Sequence, residues 1–593
     1  MIEVMSRLDF PSPAFYIQCE AFSHNSRCVV KLYSEPISKI QVNVILNEVP
    51  TYPPLRFGRR VFFSGLRMTT VPFLKYALLI LAFVSSLLAQ TKPNIIVIMT
   101  DDHAKNAVSI YGSKLNSTPN IDRIGKEGAM FTNAFVTNSI CGPSRAVHLT
   151  GKYNHLNGMK DHSSKFDGAQ WTYTKELQKA GYYTALIGKW HLGIIPTGFD
   201  FFSALVDQGE YYNPRFMLPT GDTVRMMGYT TELINDLAMG FIDKAEGKPF
   251  CLLLHQKAPH RNWMPDSKHF SLYDSTDVPM PENFFDDYIG RTRAAKEQDM
   301  EVRNMYLTYD LKLYIAEGDS ETGTGGNEWF MKQAHKAWER DLERLTREQR
   351  EAWEMYYKPI SDAFYKNRPE GRKLEEWKYQ RYIKDYLRCI ASVDDNVGEL
   401  LDHLKAKGIL DNTVIIYTSD QGFFLGEHGW YDKRFMYEES IGIPFLIRYP
   451  RLFPAGSVKN EIILNLDVAP TLLDIAGVAI PDHLQGRSFV SLFSPEKEWD
   501  WRTSMYYHYY EYPHGWHKVK RHYGMRSEKY KLIHFYHDND EWELFDLSQD
   551  PDEMHNLFNE PSYASVRERL KKELSGLREH FKDTEEPNPV EKR

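Results

Sequence analysis

Residues 141–152 read Cys-Gly-Pro-Ser-Arg-Ala-Val-His-Leu-Thr-Gly-Lys. Pro143 suits the first turn of a helix, where its missing N–H is not needed, and Gly151 offers a stop. The stretch therefore predicts a helix that begins beside Cys141. The free N–H groups and positive dipole at a helix N-terminus, with Arg145 about one turn on, favour a negatively charged ligand or nucleophile there.

The spacing within this stretch separates two kinds of cysteine chemistry. A phosphate-cradling loop of the tyrosine-phosphatase kind needs a longer interval between Cys and Arg than the three residues found here, so it is excluded. The run Cys-x-Pro-Ser-Arg, with Leu-Thr-Gly-Lys at 149–152, instead resembles the signature of the type I sulfatases of the alkaline-phosphatase superfamily. That resemblance implies that a formylglycine-generating enzyme oxidises Cys141 to formylglycine (3-oxoalanine), and Gly142 falls at a permitted variable position. A small buried cysteine beside a helix cap is the alternative for any single Cys, but the length of the match disfavours it.

Length and composition limit the classes of protein. A chain of 593 residues with 42% hydrophobic and 26% charged residues predicts a globular protein of two domains. The formal net charge of −8 argues against a nucleic-acid partner, because phosphate binding favours a basic surface. Cys251 lies in an apolar run and Cys389 in a helical pattern, and we expect both to be buried thiols.

The beginning of the chain carries the pattern of an export signal. Residues 68–89 combine a basic start, an apolar segment and a small residue, Ala89, at the cleavage position, which predicts a signal peptide and an exported, periplasmic or secreted product. The apolar segment is shorter than the roughly 20 residues of a membrane span, so no stable span is expected. Residues 1–67 show no sustained apolar period and precede a better start at Met68, so we expect a non-native upstream extension.

Residues 90–492 predict an α/β catalytic domain. Short, continuous apolar runs such as 94–100, 250–255 and 413–419 indicate buried strands of a large, mixed, mostly parallel sheet flanked by helices. Ligands gather at the carboxyl ends of such strands. The runs deliver these polar residues to one edge: Asp101, Asp102, Lys189, His191, Lys257, His260, Asp420 and Gln421.

Two further regions differ in character. Residues 266–385 contain long charged and aromatic stretches that predict a helical insertion, and the charge pattern favours a surface cover over a substrate wall. Residues 493–593 predict a smaller domain with an antiparallel sheet, a final helix over 563–581 and a charged tail.

The acids at the strand ends predict a metal site. Asp101, Asp102, Asp420 and Gln421 form an all-oxygen set, which suits Ca2+, or Mg2+, and not zinc. For the Asp pair alone, a helix N-cap with a spare acid is an equal alternative. The resemblance to type I sulfatases places these four residues and the modified Cys141 on the metal. Gln421 stands where Asn or His is often found in that family.

The same resemblance implies roles for the other polar residues. Arg145 and Lys189 would steady the formylglycine hydrate, His191 would assist sulfate release, and His260 would protonate the leaving sugar oxygen. Lys433 and Lys257 would hold the sulfate oxygens. An imidazole of near-neutral pKa suits the role of acid.

The function that follows is hydrolysis of a sulfate ester on a sulfated oligosaccharide. The run His260-Arg-Asn-Trp-Met-Pro and the C-terminal stretches resemble the N-acetylglucosamine-6-sulfatase branch of the family, which implies 6-O-desulfation of N-acetylglucosamine in a glycosaminoglycan. His514, Arg521 and His522 are candidate substrate contacts, although bonding within their own domain is at least as favoured. Three alternatives stay open: a sulfatase of another polysaccharide, a phosphate or phosphonate ester hydrolase of the same fold, and a catalytically silent sugar-binding relative.

Overall fold

The computed structural model describes residues 92–583 except 246, 316–327, 495–499, 514, 516 and 537–539, and the backbone alone of 15–21, 28–34 and 328–330. The chain divides into two compact units, 1–89 and 90–593. The first unit contains an antiparallel pair of strands, β1 (Phe15–Ala21) and β2 (Cys28–Ser34). The predicted signal peptide and the rest of the predicted upstream extension lie outside the described residues.

The second unit alternates strands and helices. Its strands are β3 (Asn94–Thr100), β4 (Ala129–Phe131), β5 (Ala134–Phe135), β6 (Tyr183–Lys189), β7 (Phe201–Leu205), β8 (Arg215–Met217), β9 (Thr223–Arg225), β10 (Phe250–His255), β11 (Thr413–Ser419), β12 (Phe424–Leu425), β13 (Tyr431–Asp432), β14 (Phe445–Arg448), β15 (Ser457–Lys459), β16 (Ile463–Leu464), β17 (Ser504–Tyr509), β18 (His522–Ser527), β19 (Tyr530–Phe535) and β20 (Glu541–Asp546). Its α-helices are α1 (Pro119–Lys126), α2 (Cys141–Thr150), α3 (Asn154–Asn157), α4 (Tyr173–Lys179), α5 (Thr230–Lys244), α6 (Arg293–Glu297), α7 (Glu328–Glu343), α8 (Arg347–Lys366), α9 (Arg372–Ala406), α10 (Glu438–Ile441), α11 (Val468–Ile475) and α12 (Ala564–His580).

A ten-stranded sheet forms the centre of this unit, in the order β15-β4-β14-β11-β3-β10-β6-β7-β8-β9. The run from β11 to β7 is parallel throughout. Strands β14, β4, β8 and β9 add antiparallel pairs at the two sides, and β15 runs parallel to β4. The predicted large, mixed, mostly parallel sheet is confirmed.

Both faces of the sheet are covered by helices. Because successive side chains of a strand point to opposite faces, Ile96 and Leu252 pack in one apolar layer with α5 and α9, whereas Val97 and Leu253 pack in the other with α2, α4 and α11. Two buried faces explain why β3, β10 and β11 are continuous apolar runs. Cys251 and Cys389 lie in these layers as buried free thiols, as predicted.

The parallel register brings the carboxyl ends of the strands to one edge. Ser419 of β11 pairs with Thr100 of β3, and His255 of β10 pairs with Gly188 of β6. The last pairing needs a glycine, since a Cβ at Gly188 would lie 1.9 Å from the His255 carbonyl oxygen and the φ there is +103°. The residues that follow these strands therefore emerge side by side.

Helix α9 links the predicted helical insertion to this edge. It runs for 35 residues, beginning within the insertion and ending against the sheet. The Tyr386 hydroxyl on α9 donates to the carbonyl of Asp102 at 2.8 Å and accepts from the N–H of Ala104 at 2.8 Å. The insertion itself contains α6, α7, α8 and the first part of α9.

The C-terminal strands form a separate antiparallel sheet, in the order β17-β18-β19-β20, which α12 covers. This confirms the predicted smaller antiparallel sheet. Just after α12, the Asp583 carboxylate accepts hydrogen bonds from His508 and the Tyr506 hydroxyl, both at 2.6 Å. None of the helices in the described part of the chain is long and apolar enough to cross a membrane.

Candidate active site

Three buried carboxylates meet where β3 and β11 end. Asp101 and Asp102 follow β3, and Asp420 follows β11. Carboxylate oxygens of all three lie within 4.8 Å of one another, and Asp420 accepts a hydrogen bond from the N–H of Asp102 at 3.2 Å. With Gln421 they form a group that we call the sheet edge, and each of the four is at most 1% exposed.

The sheet edge fits a hard divalent cation. Within the described part of the chain, Asp101 Oδ1 and Gln421 Oε1 are buried oxygens without a hydrogen-bond partner. Burial and the nearby Asp101 raise the pKa of Asp420 well above its usual value, so that a further positive charge at the sheet edge would favour its ionised form. An all-oxygen donor set of this kind suits Ca2+ or Mg2+. The predicted metal residues Asp101, Asp102, Asp420 and Gln421 are therefore brought together.

Cys141 lies beside this edge, at the first residue of α2. Its Sγ is 3.5 Å from Lys433 Nζ and 3.7 Å from Gln421 Nε2. Burial raises the pKa of the thiol, but Lys189 and Lys433 outweigh it and bring the pKa well below the usual value. At Gly142 a Cβ would lie 3.0 Å from the carbonyl oxygen of His191, so that a larger residue at this variable position requires a small shift of its neighbours.

Three cations also bind the carboxylates of the sheet edge. Arg145 Nε donates to Asp420 Oδ2 at 2.9 Å, and Arg145 Nη2 lies 2.8 Å from the same oxygen in an ion pair. Lys189 pairs with Asp101, and Lys433 Nζ is 2.7 Å from Asp102 Oδ2. Burial raises the pKa of Asp101, but Lys189 and His260 outweigh it and hold that pKa at about 2.

The two predicted histidines each have a ring nitrogen within 4.8 Å of the Sγ of Cys141. His191 follows β6, and its Nε2 is 3.1 Å from Gln208 Nε2; burial and Lys189 lower the pKa of His191 to about 3. His260 Nε2 is 3.7 Å from Asp102 Oδ2, and its Nδ1 bonds to the carbonyl of Arg261. Both imidazoles can therefore reach a group bound at the sheet edge.

A cavity of about 750 Å³ opens over Cys141. Lys257 lies in it, 4.7 Å from the ring centre of Tyr211, and burial together with Lys189 lowers the pKa of Lys257 to about 8. The lining also includes His162, Gln208, Glu210, His260, Arg261, Asn262, Lys433 and Arg434. The predicted contacts Lys257 and Lys433 are thus both at the cavity.

The helical insertion forms one side of this cavity, which corrects the preference for a surface cover. The residues that we call the outer wall come from α7 and the position after it: Ala337, Arg340, Asp341, Glu343 and Arg344. Asp341 accepts from Asn262 at 3.0 Å and from Arg344 at 2.6 Å. The sequence pattern misled because charged residues on a helix face solvent and a polar cavity equally well.

Two of the predicted C-terminal contacts, Arg521 and His522, are absent from the cavity lining. His522 is fully buried in the C-terminal sheet, where its Nε2 accepts from the Met436 N–H at 3.1 Å and its Nδ1 bonds to the Lys520 carbonyl at 2.8 Å. Burial lowers the pKa of His522 to about 3. His514 lies outside the described residues.

Sequence reasoning missed several residues of the site. Arg434 follows the predicted Lys433 directly and is 3% exposed, with Nε and Nη1 free of hydrogen-bond partners within the described part of the chain. Its position next to a predicted sulfate ligand was the available signal. His162 lies in a polar loop, and Asp341 on a charged helix, so that neither stands out from its neighbours by pattern.

The family of the chain follows from comparison with known proteins. The sulfatase family model matches residues 93–478, and the model of the N-sulphoglucosamine sulphohydrolase C-terminal region matches residues 426–580. The chain belongs to the sulfatase family and is a sulfuric ester hydrolase.

Particular relatives narrow the comparison. The chain is 46% identical to the N-acetylglucosamine-6-O-sulfatase of Bacteroides thetaiotaomicron, over 83% of this chain and 88% of that protein. It is similar to a solved structure in complex with its substrate D-glucosamine-2-N,6-O-disulfate, with a TM-score of 0.79 and 46% identity, over 85% of this chain and 100% of that one. A phosphonate monoester hydrolase from Silicibacter pomeroyi, at 19% identity and a TM-score of 0.62 over 83% of this chain and 96% of that chain, shares the fold.

Proposed function

We propose that this chain removes the 6-O-sulfate of N-acetylglucosamine in a glycosaminoglycan or a similar polysaccharide. The observation that carries the proposal is the convergence of Lys189, Lys433 and Arg145 on the acidic sheet edge beside Cys141, at the base of a polar cavity. The N-acetylglucosamine-6-O-sulfatase relative, at 46% identity over 83% of this chain, supports the choice of sugar and position.

Two groups complete the chemistry when they are in place. Formylglycine formed from Cys141 would supply a hydrate hydroxyl as nucleophile, and Ca2+ or Mg2+ at the sheet edge would neutralise charge on the sulfate oxygens. Cys141 would be modified by a formylglycine-generating enzyme, and the product would be exported to the periplasm or beyond the cell.

The chain's own cations hold the sulfate. Lys433 Nζ, 3.5 Å from the Sγ of Cys141, lies where it can donate to an oxygen of a sulfate bound at position 141. Lys257 faces the same space from the β10 side. Fixed donors in a site that excludes water stabilise charge that develops in the transition state more strongly than water does.

Proton transfers are assigned to the two imidazoles. His260 lies at the cavity with its Nδ1 bonded to the Arg261 carbonyl, so that Nε2 of the doubly protonated ring would donate its proton to the departing sugar oxygen and leave a neutral imidazole. His191 also lies beside Cys141 and would accept the proton that accompanies sulfate release. Burial and Lys189 lower the pKa of His191 to about 3, so that the ring is neutral before sulfate release.

The test is turnover by protein expressed with a formylglycine-generating system. We expect sulfate release from N-acetylglucosamine-6-sulfate, and an aryl sulfate to be cleaved faster than the matching aryl phosphate or phosphonate. The Cys141→Ala variant should lose at least about 10,000-fold in kcat, as enzymes that lose their nucleophile do. Cys251→Ala, a buried thiol of the same sheet, is the control and should keep its rate.

Two results would contradict the proposal. Release of sulfate only from galactose or uronic-acid substrates would refute N-acetylglucosamine as the sugar, although the protein would still be a sulfatase. Faster turnover of phosphate or phosphonate esters would favour the alternative hydrolase of the same fold. Mass spectrometry of the peptide that ends at Arg145 establishes whether Cys141 was converted in the sample.

A further inference from the structure

A third imidazole, outside the predicted set, lies beside the nucleophile. His162 belongs to the loop between α3 and α4 and lines the cavity. One of its ring nitrogens, the Sγ of Cys141 and a ring nitrogen of His191 lie within 4.8 Å of one another. The ring centres of His162 and His191 are 5.2 Å apart. The side chain of His162 is 31% exposed, so that part of the ring is accessible from the cavity and the rest is in contact with the protein.

The loop around His162 is held on both sides. The Asp161 carboxylate accepts from the N–H groups of Ser163 and Ser164, each at 3.0 Å, which closes a tight polar turn. On the other side, the carbonyl of Lys160 accepts from the Asn138 amide at 3.1 Å. The ring therefore projects from a fixed backbone.

Glu511, two residues after β17 of the C-terminal sheet, fixes the orientation of the ring. Its Oε2 is 2.9 Å from His162 Nδ1 and 3.2 Å from the His162 N–H. Glu511 is 1% exposed, and Arg434 Nη1 lies 4.0 Å from its Oε1. Burial raises the pKa of Glu511, but His162 and Arg434 outweigh it and hold that pKa at about 2.

The geometry leaves one ring nitrogen for the active site. Since Glu511 engages Nδ1, Nε2 of His162 is the nitrogen available to the side chain at position 141. A carboxylate that binds one nitrogen of an imidazole sets the orientation of the ring and the group that the other nitrogen meets.

We propose that His162 is a further catalytic residue that hydrogen-bonds the nucleophile at position 141, and that Glu511 is its positioning residue. The inference rests on the proposed function, because Sγ of Cys141 marks the place of the modified side chain. It also gives the C-terminal sheet a part in the reaction, through Glu511 rather than through the predicted His522.

The first test measures kcat and KM of matured His162→Ala, His162→Gln and Glu511→Gln on an aryl sulfate, with formylglycine content verified by mass spectrometry. Loss of a hydrogen bond to a charged or reacting group should lower kcat of His162→Ala by about 10- to 100-fold. His162→Gln, which keeps a hydrogen-bonding amide, should recover part of that loss. Glu511→Gln should lose about 10-fold, with KM nearly unchanged in all three.

A second measurement needs neither maturation nor substrate. In unconverted protein, the contact predicts that His162→Ala slows alkylation of the Cys141 thiol by iodoacetamide several-fold. His534→Gln is the matched control, because His534 forms a comparable pair with Asp540 at 2.7 Å and is absent from the cavity lining. It should change neither alkylation nor kcat.

The two measurements separate failure of the inference from failure of the proposed function. Unchanged alkylation and unchanged kcat in His162→Ala, with only a lower melting temperature, would overturn the inference. The contact between His162 and Glu511 would then only stabilise the fold. Slower alkylation in a protein that turns over no glucosamine sulfate would support the inference and refute the proposed substrate.

Discussion

The two ends of the cavity are built in different ways. At its base, the sheet edge comes from residues that directly follow strands, in a register fixed by backbone pairing between β3 and β11. At its mouth, the outer wall comes from helix α7, which packs through Trp338 and Leu342 and makes side-chain contacts such as that of Asp341 with Asn262. The base is thus placed by backbone pairing, and the wall by side-chain packing and hydrogen bonds.

The difference teaches where chemistry and selectivity should reside. Groups on strand ends are held precisely and suit the bond-breaking step, which a small displacement impairs. Groups on an inserted helix can vary in sequence without disturbing the sheet, and they suit recognition of the sugar. Changes at the base should therefore affect kcat on every substrate, and changes at the wall should affect KM on sugars alone.

Among changes that leave the nucleophile in place, removal of the divalent ion should have the largest effect. We expect a chelator to lower kcat on both sugar and aryl sulfates by at least about 100-fold, because a bound cation contributes several kcal/mol of charge stabilisation. Added Ca2+ should restore the rate and raise the melting temperature. At a Ca2+ concentration of 100 times Kd, the free energy of unfolding should increase by about 2.7 kcal/mol.

The matched variant for this prediction is Asp101→Asn, which removes one charge of the proposed metal site. Its melting temperature should respond to Ca2+ much less than that of the wild type. An equal Ca2+ response in the variant, or full activity after exhaustive chelation, would contradict a metal at the sheet edge.

A substitution in the outer wall should have an intermediate and selective effect. Asp341→Asn weakens the charged contact to Arg344, and hydrogen bonds to charged groups contribute about 1.5 to 3 kcal/mol. We expect KM for N-acetylglucosamine-6-sulfate to rise about 10-fold, with kcat on an aryl sulfate unchanged.

Glu339→Gln on the same helix is the control, since Glu339 is 58% exposed and absent from the cavity lining. It should leave both substrates unaffected. If Asp341→Asn lowered kcat on the aryl sulfate as strongly as on the sugar, the division between base and wall would fail.

The smallest effect is expected at Asp583, which is absent from the cavity lining. Burial raises the pKa of this carboxyl, but the hydrogen bonds from His508 and Tyr506 outweigh it and hold the pKa below its usual 3.8. A carboxyl with a lowered folded-state pKa stabilises the fold above its unfolded-state value, and this contribution is lost as the pH falls below about 4. Asp583→Asn should therefore cost about 1.5 to 3 kcal/mol of unfolding free energy at pH 7 and less at pH 3, with kcat unchanged.

Denaturant unfolding at several pH values measures this difference. Asp540→Asn, whose carboxylate is 87% exposed, should show no such dependence. A stability difference between Asp583→Asn and wild type that stays constant from pH 7 to pH 3 would show that the ionised carboxylate is not what stabilises this end of the chain.

The base of the cavity could be predicted from sequence because strands buried on two faces are continuous apolar runs. Once β3 and β11 were recognised, the parallel arrangement itself implied that Asp101 and Asp420 emerge together. The resemblance around Cys141 supplied the roles that spacing alone does not reveal.

The rest could not be predicted, for physical reasons that differ by residue. Asp341 reaches the site through helix packing, which the local charge pattern does not encode. His522 was offered as a substrate contact, but strand β18 directs it into an aromatic layer between Tyr507 and Phe435. Glu511 contacts His162 and lines no part of the cavity. Its role therefore depends on the packing of the region after β17 against the loop between α3 and α4, which is far away in sequence.

Helix α9 has a consequence for how substrate enters. At about 1.5 Å per residue, its 35 residues span about 50 Å, from the insertion to the sheet. The Tyr386 hydroxyl joins this helix by hydrogen bonds to the backbone of Asp102 and Ala104. The backbone that carries Asp102 is thus bonded to one long helix that begins in the insertion, and we expect the base of the cavity to keep its shape when a sugar enters.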